Sequence, residues 1–139
     1  MKLVIGNKNY SSWSLRAWLL LSVHDISFDE VRIALSTENT GAEIAKHSAA
    51  GKVPVLYDND LVVWDSLAIC EYISEQYLAG HGWPAGIKER ALARSYCAEM
   101  HSGFFTLRGA MPMNCQAKDR RVPMTADLQK EVSRIESIW

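Results

Sequence analysis

Residues 51–73 read GKVPVLYDNDLVVWDSLAICEYI, and this stretch predicts the second half of a sheet and the helix that follows it. Two apolar runs, 53–57 and 61–64, flank the Asp-Asn-Asp segment at 58–60, which is typical of an antiparallel hairpin with a short loop. An Asp-Ser pair at 65–66 then precedes apolar residues at helical spacing. Because aspartate and serine are good helix caps, we expect the hairpin to lead directly into a helix.

A strand, a buried helix and a second strand are predicted before this stretch. Residues 2–5 fit a short strand, and residues 13–23 are apolar on almost every side, as in a helix buried on more than one face. Residues 28–33 alternate apolar and charged side chains, as a half-buried strand does. Strand, helix, strand favours a parallel pair, so the complete sheet should be mixed, with four strands. Residues 36–51 are polar and are expected to be poor in helix.

The pattern changes from mixed α/β to purely helical after a segment rich in glycine and proline. We therefore expect residues 1–79 to form one α/β domain, residues 80–86 to be a linker, and residues 87–139 to begin an all-α domain.

Two helices are predicted in the all-α part. An apolar stripe from Ile87 to Met111 indicates one continuous helix that Pro112 ends, and Thr125 is placed to cap a final helix. The chain stops on Trp139 without a glycine, a cap or a polar tail, so we expect this all-α domain to be truncated.

Composition and charge favour a small molecule or a protein as partner. The formal net charge is −1, so no long-range positive field attracts nucleic acid or an anionic membrane. The first ten residues lack the long apolar region of a signal peptide, and no apolar run could span a bilayer. The cysteines Cys70, Cys97 and Cys115 lie in no CxxC or Cys/His pattern. We expect reduced thiols, no metal site and a cytoplasmic location.

Three segments follow one another along the chain: Ser-Ser-Trp-Ser-Leu-Arg at 11–16, Gly-Lys-Val-Pro-Val-Leu at 51–56 and the Asp-Ser helix start at 65–73. In this order they resemble the glutathione transferase superfamily, and its serine-using zeta and tau classes most closely. The resemblance covers residues 1 to about 78 well. It implies a thioredoxin-like α/β domain with a mixed four-stranded sheet, followed by an all-α domain, and a homodimer built across both domains.

The resemblance assigns the catalytic step to a serine before the first helix. Ser11 matches the family's catalytic serine, whose hydroxyl donates a hydrogen bond to the glutathione thiolate, and the adjacent Ser12 is its rival. The residues alone allow a simpler interpretation, in which Ser11 or Ser12 only caps the helix. Met100, Phe104 and Arg108 are the candidates for an electrophile pocket, and such a stripe also fits an ordinary core.

The same resemblance assigns the glutathione contacts. Val53-Pro54 corresponds to a cis-proline turn that offers the backbone of Val53 to the extended tripeptide. Asp65 would receive the α-ammonium group, while the helix start at Ser66 would receive the γ-glutamyl carboxylate. Lys52 would pair with the glycyl carboxylate.

Three functions are compatible with these features. The leading one is an enzyme in which glutathione thiolate attacks a small hydrophobic electrophile, or assists an isomerisation or an ether cleavage. The second is a non-catalytic, transferase-like binding or scaffold module. A thiol-disulfide reductase ranks last, since the first helix has no cysteine and Cys70 lies inside a later helix. Trp13 stands where zeta enzymes carry a cysteine, which weighs against their isomerase chemistry.

Overall fold

The computed structural model describes residues 1–139 and contains one mixed sheet of four strands. The strands are β1 (Lys2–Ile5), β2 (Asp29–Arg32), β3 (Val55–Asp58) and β4 (Leu61–Trp64). Their order is β2-β1-β3-β4; β1 runs parallel to β2, and the other two neighbouring pairs are antiparallel. The predicted mixed sheet, including the hairpin, is therefore confirmed.

Six helices accompany the sheet, and none is long and apolar enough to cross a membrane. They are α1 (Ser12–Val23), α2 (Thr40–Ala45), α3 (Ser66–Tyr77), α4 (Ile87–Ser102), α5 (Phe105–Ala110) and α6 (Ala126–Glu136). Helices α3 and α6 begin as expected, because the side chains of Asp65 and Thr125 accept hydrogen bonds from the first amides of these helices.

The core lies on both faces of the sheet because strand residues alternate between them. On one face the strands meet α1 and α3 in a fully buried cluster: Leu3, Ile5, Ala17, Leu21, Leu56, Ile69 and Ile73. On the other face Val4 and Val55 pack with Ile33 and with Ile44 of α2. The contact of α1 with α3 on one face of the sheet brings the beginnings of both helices close together.

Residues 36–51 contain a short helix that their composition did not predict. The Thr40 hydroxyl accepts a hydrogen bond from the Thr37 amide at 2.9 Å and donates one to the Ala34 carbonyl at 2.9 Å. Ile44 is buried against the sheet. Burial of Ile44 and the hydrogen bonds of Thr40 stabilise a helical segment within a polar stretch.

The expectation of one continuous helix from Ile87 to Met111 is wrong. Helix α4 ends at Ser102, Gly103 is extended, and Phe104 adopts left-handed angles (φ 60°, ψ 39°) before α5 begins. The interruption buries Phe104, and the Arg108 guanidinium donates to the carbonyl oxygens of Gly103 and Met100 at the open end of α4. Glycine favours a break of this kind because it is a poor helix former.

Residues 80–86 contain no helix or strand and connect α3 to α4. The division of the chain into domains at this segment remains a prediction.

Candidate functional site

The register of the sheet brings three segments to one of its ends. Val4 pairs with Val55, and Val55 pairs with Trp64, so the end of β1, the start of β3 and the end of β4 are adjacent. The serine pair follows the end of β1, the Val-Pro pair precedes the start of β3, and the Asp-Ser pair follows the end of β4. Helices α1 and α3 both start here, so their positive dipole ends meet at the same place.

Ser11 and Ser12 differ in burial and in hydrogen bonding. Ser11 is only 7% exposed, and its hydroxyl donates to the Ser14 hydroxyl oxygen at 2.9 Å. Ser14 also accepts the Gly6 amide at 3.0 Å, so these serines link the β1 loop to the first turn of α1. Ser11 occupies the N-cap position but makes no side-chain cap bond, so the simple capping interpretation does not hold for it. Ser12 is half-buried, and its hydroxyl has no hydrogen-bond partner in the protein.

The Val53-Pro54 peptide bond is cis. Pro54 is buried, whereas Val53 is half-buried, and the N–H and C=O of Val53 make no backbone hydrogen bond. Lys52 is exposed and forms no ion pair, although its amide donates to the Ser48 hydroxyl oxygen at 3.3 Å. The backbone of Val53 is therefore available for pairing with an extended chain.

Asp65 is the cap of α3 and also reaches towards α4. Its Oδ1 accepts the amides of Leu67 at 2.9 Å and Ala68 at 3.4 Å. Its Oδ2 lies 3.0 Å from Nε2 of His101, near the end of α4. Two amides in the first turn of α3, those of Leu67 and Ala68, are therefore already bonded to Asp65 and are not free for a ligand carboxylate.

Ser66 retains the polar groups that remain at this helix end. Its amide makes no backbone hydrogen bond, and its hydroxyl oxygen accepts Nη1 of Arg16 at 3.4 Å, which leaves the hydroxyl hydrogen free to donate. The residue is 2% exposed, so the protein itself covers almost all of its surface.

The Trp13 ring, in the segment that carries the serine pair, contacts three basic side chains from three different helices. The Trp13 ring has the guanidinium carbons of Arg16 at 4.3 Å and Arg108 at 4.6 Å from its centroid. His101 contacts the same ring edge to face, at 5.2 Å between centroids. Arg108, which the stripe in α4 and α5 indicated as a pocket residue, thus lies against Trp13, the residue that follows the serine pair. The sequence contains one indication that Arg16 lies at the site, because it follows Ser12 by one helical turn.

The two arginines make this part of the site electropositive. Burial lowers the pKa of Arg16, and the nearby charge of Arg108 lowers it further. Neither guanidinium forms an ion pair with a carboxylate of the protein. Stacking on Trp13 offsets part of the repulsion between the two guanidinium groups.

An apolar cavity of about 560 Å³ opens next to Arg16 and Ser66. Its walls come mainly from α1, α3 and α4, among them Leu19 and Met100, and Trp83 of the segment 80–86 also lines it. Cys70 and Cys97 also line the cavity, and burial raises the pKa of Cys70 to about 11 and that of Cys97 in the same direction. Neither thiol is poised as a nucleophile at neutral pH.

No three His, Cys, Asp or Glu side chains lie close enough together to hold a metal ion.

Comparison with known proteins matches the same segments. A family profile described as glutathione S-transferase, N-terminal domain, matches residues 10–76. The dichloromethane dehalogenase of Methylophilus leisingeri is 33% identical over 88 residues, which covers 61% of this chain and 32% of that protein. Glutathione S-transferase T1 of Arabidopsis thaliana is 28% identical over an alignment that covers all of this chain and 62% of that protein. The chain thus spans less than two thirds of these curated relatives.

Solved structures share the fold. A glutathione transferase homologue from Burkholderia, with bound glutathione, superposes with a TM-score of 0.65 at 28% identity, covering 78% of this chain and 58% of that one. The theta class glutathione S-transferase of Xanthomonas axonopodis pv. citri, with glutathione bound, has a TM-score of 0.70 at 19% identity. The match covers 98% of this chain and 69% of that one. The profile match assigns residues 10–76 to the N-terminal domain of the glutathione transferase superfamily, and these relatives support the assignment.

Proposed function

We propose that the protein is a glutathione transferase that binds glutathione at the common end of β1, β3 and β4 and stabilises its thiolate for attack on a small hydrophobic electrophile. The observation that carries the proposal is the strand register, which brings the serine pair, Val53-Pro54 and the capped start of α3 together. The similarity to a homologue with bound glutathione at 28% identity supports the choice of ligand.

Each part of the tripeptide has a complementary group at this end of the sheet. The unpaired backbone of Val53 can pair with the cysteinyl residue as an added strand does. Asp65 is the acceptor for the α-ammonium group, and the free amide and hydroxyl of Ser66 are donors for the γ-glutamyl carboxylate. Lys52, exposed and without an ion pair, is the partner for the glycyl carboxylate.

The thiol has to be activated, because a free thiol with a pKa of about 8.5 is only a few per cent thiolate at pH 7. Lowering this pKa by about two units requires about 2.7 kcal/mol, and one charge-assisted hydrogen bond supplies about 1.5–3 kcal/mol. We assign this bond to the Ser11 hydroxyl, which must turn away from Ser14 to make it. Ser12 is the rival, since its hydroxyl is already without a partner. The thiolate sulfur then forms a bond to the electrophilic carbon as the leaving group departs with its bonding pair.

Paired substitutions test the assignment. Ser11→Ala should keep the glutathione Kd within about twofold, while turnover of a chlorodinitrobenzene falls about 10²-fold, as expected when a thiolate donor is lost. Binding can be followed by tryptophan fluorescence, because Trp13 lies at the site. Ser95→Ala is the control, since Ser95 is exposed on α4 and bonds only the Ala91 carbonyl. A loss of turnover in Ser12→Ala alone transfers the role to Ser12, and full turnover in both variants contradicts a serine mechanism.

One observation favours the non-catalytic alternative. Large apolar side chains are exposed on the helices beyond residue 86, among them Ile87 at 78% and Phe105 at 75%. A binding or scaffold module would use such a surface for protein contacts. This alternative predicts that glutathione quenches the fluorescence without conjugation to any electrophile in a panel.

We further propose that the protein acts as a homodimer in the cytoplasm and serves in detoxification. Exposed apolar side chains support association of two copies, since they are costly to leave in water. A monomer in light scattering at micromolar concentration would count against the dimer.

A further inference from the structure

The Asp65 carboxylate is held between two helices. Its Oδ1 accepts two amides of α3, and its Oδ2 lies 3.0 Å from Nε2 of His101 on α4. A carboxylate offers about four acceptor directions. The protein fills three of them, and the remaining one belongs to the oxygen that His101 contacts. A ligand ammonium at Asp65 therefore has to share Oδ2 with the imidazole.

The contact with Asp65 and a contact with Trp13 hold the His101 ring. Its edge meets the Trp13 ring at an interplanar angle of 82°, and its side chain is 27% exposed. The second nitrogen, Nδ1, is buried and has no hydrogen-bond partner. The neutral ring that donates from Nε2 therefore uses its only hydrogen on Asp65.

The charged and titratable groups around the imidazole come from every element that packs against it. Asp65 approaches from α3, Arg16 of α1 and Arg108 of α5 lie on the same Trp13 ring, and Cys97 is one turn earlier on α4. Asp65 is the only acid in this group. Its single negative charge is what a ligand ammonium would recognise.

We propose that His101 is a positioning residue for glutathione recognition. When neutral, it orients the Asp65 carboxylate through Nε2 and leaves the charge of Asp65 to the α-ammonium group of the ligand. When protonated, it places a second cation on the same oxygen, competes with that ammonium group and weakens binding. This inference rests on the proposed function, because it requires glutathione to place its amine at Asp65.

The test measures the Kd of the full chain for glutathione and for an analogue that lacks the α-amino group, at pH 7.0 and pH 5.5. For the wild-type chain, the glutathione Kd should rise about two- to fivefold on acidification, as expected for loss of a partly exposed ion pair. The analogue should bind with little change, because it has no ammonium group to lose.

Three variants separate positioning from a structural role. His101→Gln keeps a neutral donor and should retain the affinity at pH 7.0 while losing the pH dependence. His101→Phe keeps the ring against Trp13 but cannot donate, and it should weaken glutathione about two- to fivefold at both pH values without affecting the analogue. His81→Gln is the matched control, since His81 is exposed and its side chain has no partner, and it should behave as wild type.

Each other outcome rejects a definite statement. If His101→Gln keeps the wild-type pH dependence, or His101→Phe binds glutathione as the wild type does, the positioning role is wrong and the proposed function stands. If glutathione and the analogue bind equally well to the wild type at pH 7.0, Asp65 does not receive the amine. If neither ligand binds a folded chain, the proposed function fails and the inference fails with it.

Discussion

Asp65 combines two tasks at a single position. Its backbone has φ 75° and ψ 130°, a region that residues other than glycine rarely occupy and that costs about 1–3 kcal/mol. The side chain offsets this cost by capping α3 and by contacting His101. A strained residue that lies at a ligand site is a common arrangement, because the surrounding structure holds it in place. A substitution can separate the contribution of Asp65 to the stability of the fold from its contribution to ligand binding.

Asp65→Asn should leave the fold intact but weaken glutathione binding. Asparagine keeps an oxygen for the Leu67 and Ala68 amides and tolerates positive φ, so the free energy of unfolding should change by less than about 1 kcal/mol. Loss of the carboxylate charge should raise the glutathione Kd by about fivefold or more. Urea unfolding and fluorescence titration measure the two effects.

Asp25→Asn is the control for this substitution, because Asp25 also has positive φ (52°), is exposed and lies away from the site. Unchanged glutathione affinity in Asp65→Asn would show that this carboxylate does not bind the ligand.

Between elements, β3 and α3 are joined by a buried acid. The Asp58 carboxylate accepts hydrogen bonds from the phenols of Tyr72, at 2.8 Å, and Tyr77. The bond from Tyr77 has the larger effect and the bond from Tyr72 the smaller, and together they hold the pKa of Asp58 below its usual range. The same carboxylate raises the pKa of Tyr77 to about 12 and that of Tyr72 in the same direction. The ionised acid is therefore the form that stabilises the fold.

The contribution of Asp58 to stability should depend on pH. Because the folded pKa is depressed, the stabilisation is present above the unfolded pKa of about 3.9 and is lost as the pH falls through the folded pKa. The raised tyrosine pKa values keep the phenols protonated, so the contribution extends to about pH 10 and is lost as the pH rises towards that of folded Tyr77, about 12.

Asp58→Asn should therefore lower the free energy of unfolding at pH 7 by about 1.5–3 kcal/mol, the value of a hydrogen bond to a charged group. The difference from wild type should shrink below about pH 4. Urea unfolding at the two pH values checks this, with the exposed Asp60→Asn in the same hairpin loop as control. An equal deficit at both pH values would contradict the linkage.

Over the whole molecule, polar contacts hold α4 against the α/β part. Helix α4 contributes no fully buried residue. Instead, Glu71 of α3 accepts the Trp83 indole N–H at 2.9 Å and two bonds from the Arg94 guanidinium at 3.2 Å each. The contact of Asp65 with His101 lies near the other end of the same helix. The position of α4 thus depends on a small number of charged groups.

Glu71→Ala should loosen this attachment without unfolding the chain. Both partners are partly exposed, so the global cost should be at most about 1 kcal/mol, whereas hydrogen exchange of the α4 amides should become clearly faster. Glu75→Ala, an exposed site on the same helix, is the control. Equal exchange rates of the α4 amides in the two variants would mean that α4 is held by other contacts.

In the candidate site, contacts between residues close in the chain could be predicted from the sequence, whereas contacts between distant residues could not. The polar residues at the ends of β1, β3 and β4 could be placed from the sequence, because turns, caps and strand pairing depend on residues close in the chain. The His101 contact with Asp65 spans separate helices, and no periodicity in the chain predicts it. The proposed roles of these residues stay predictions until the variants above are measured.

By itself, the sequence determined the mixed sheet, the hairpin, the capped start of α3 and the family, since each follows from local patterning and short motifs. Only the tertiary structure decided that the helix expected from Ile87 to Met111 breaks after Ser102. Burial of Phe104 and the Arg108 bonds to α4 carbonyls override the apolar stripe there. The tertiary structure also decided that the Ser11 hydroxyl bonds Ser14 and that Trp13 lies between two arginines. Those contacts depend on which side chains the packed core brings together, and that is a property of the whole chain.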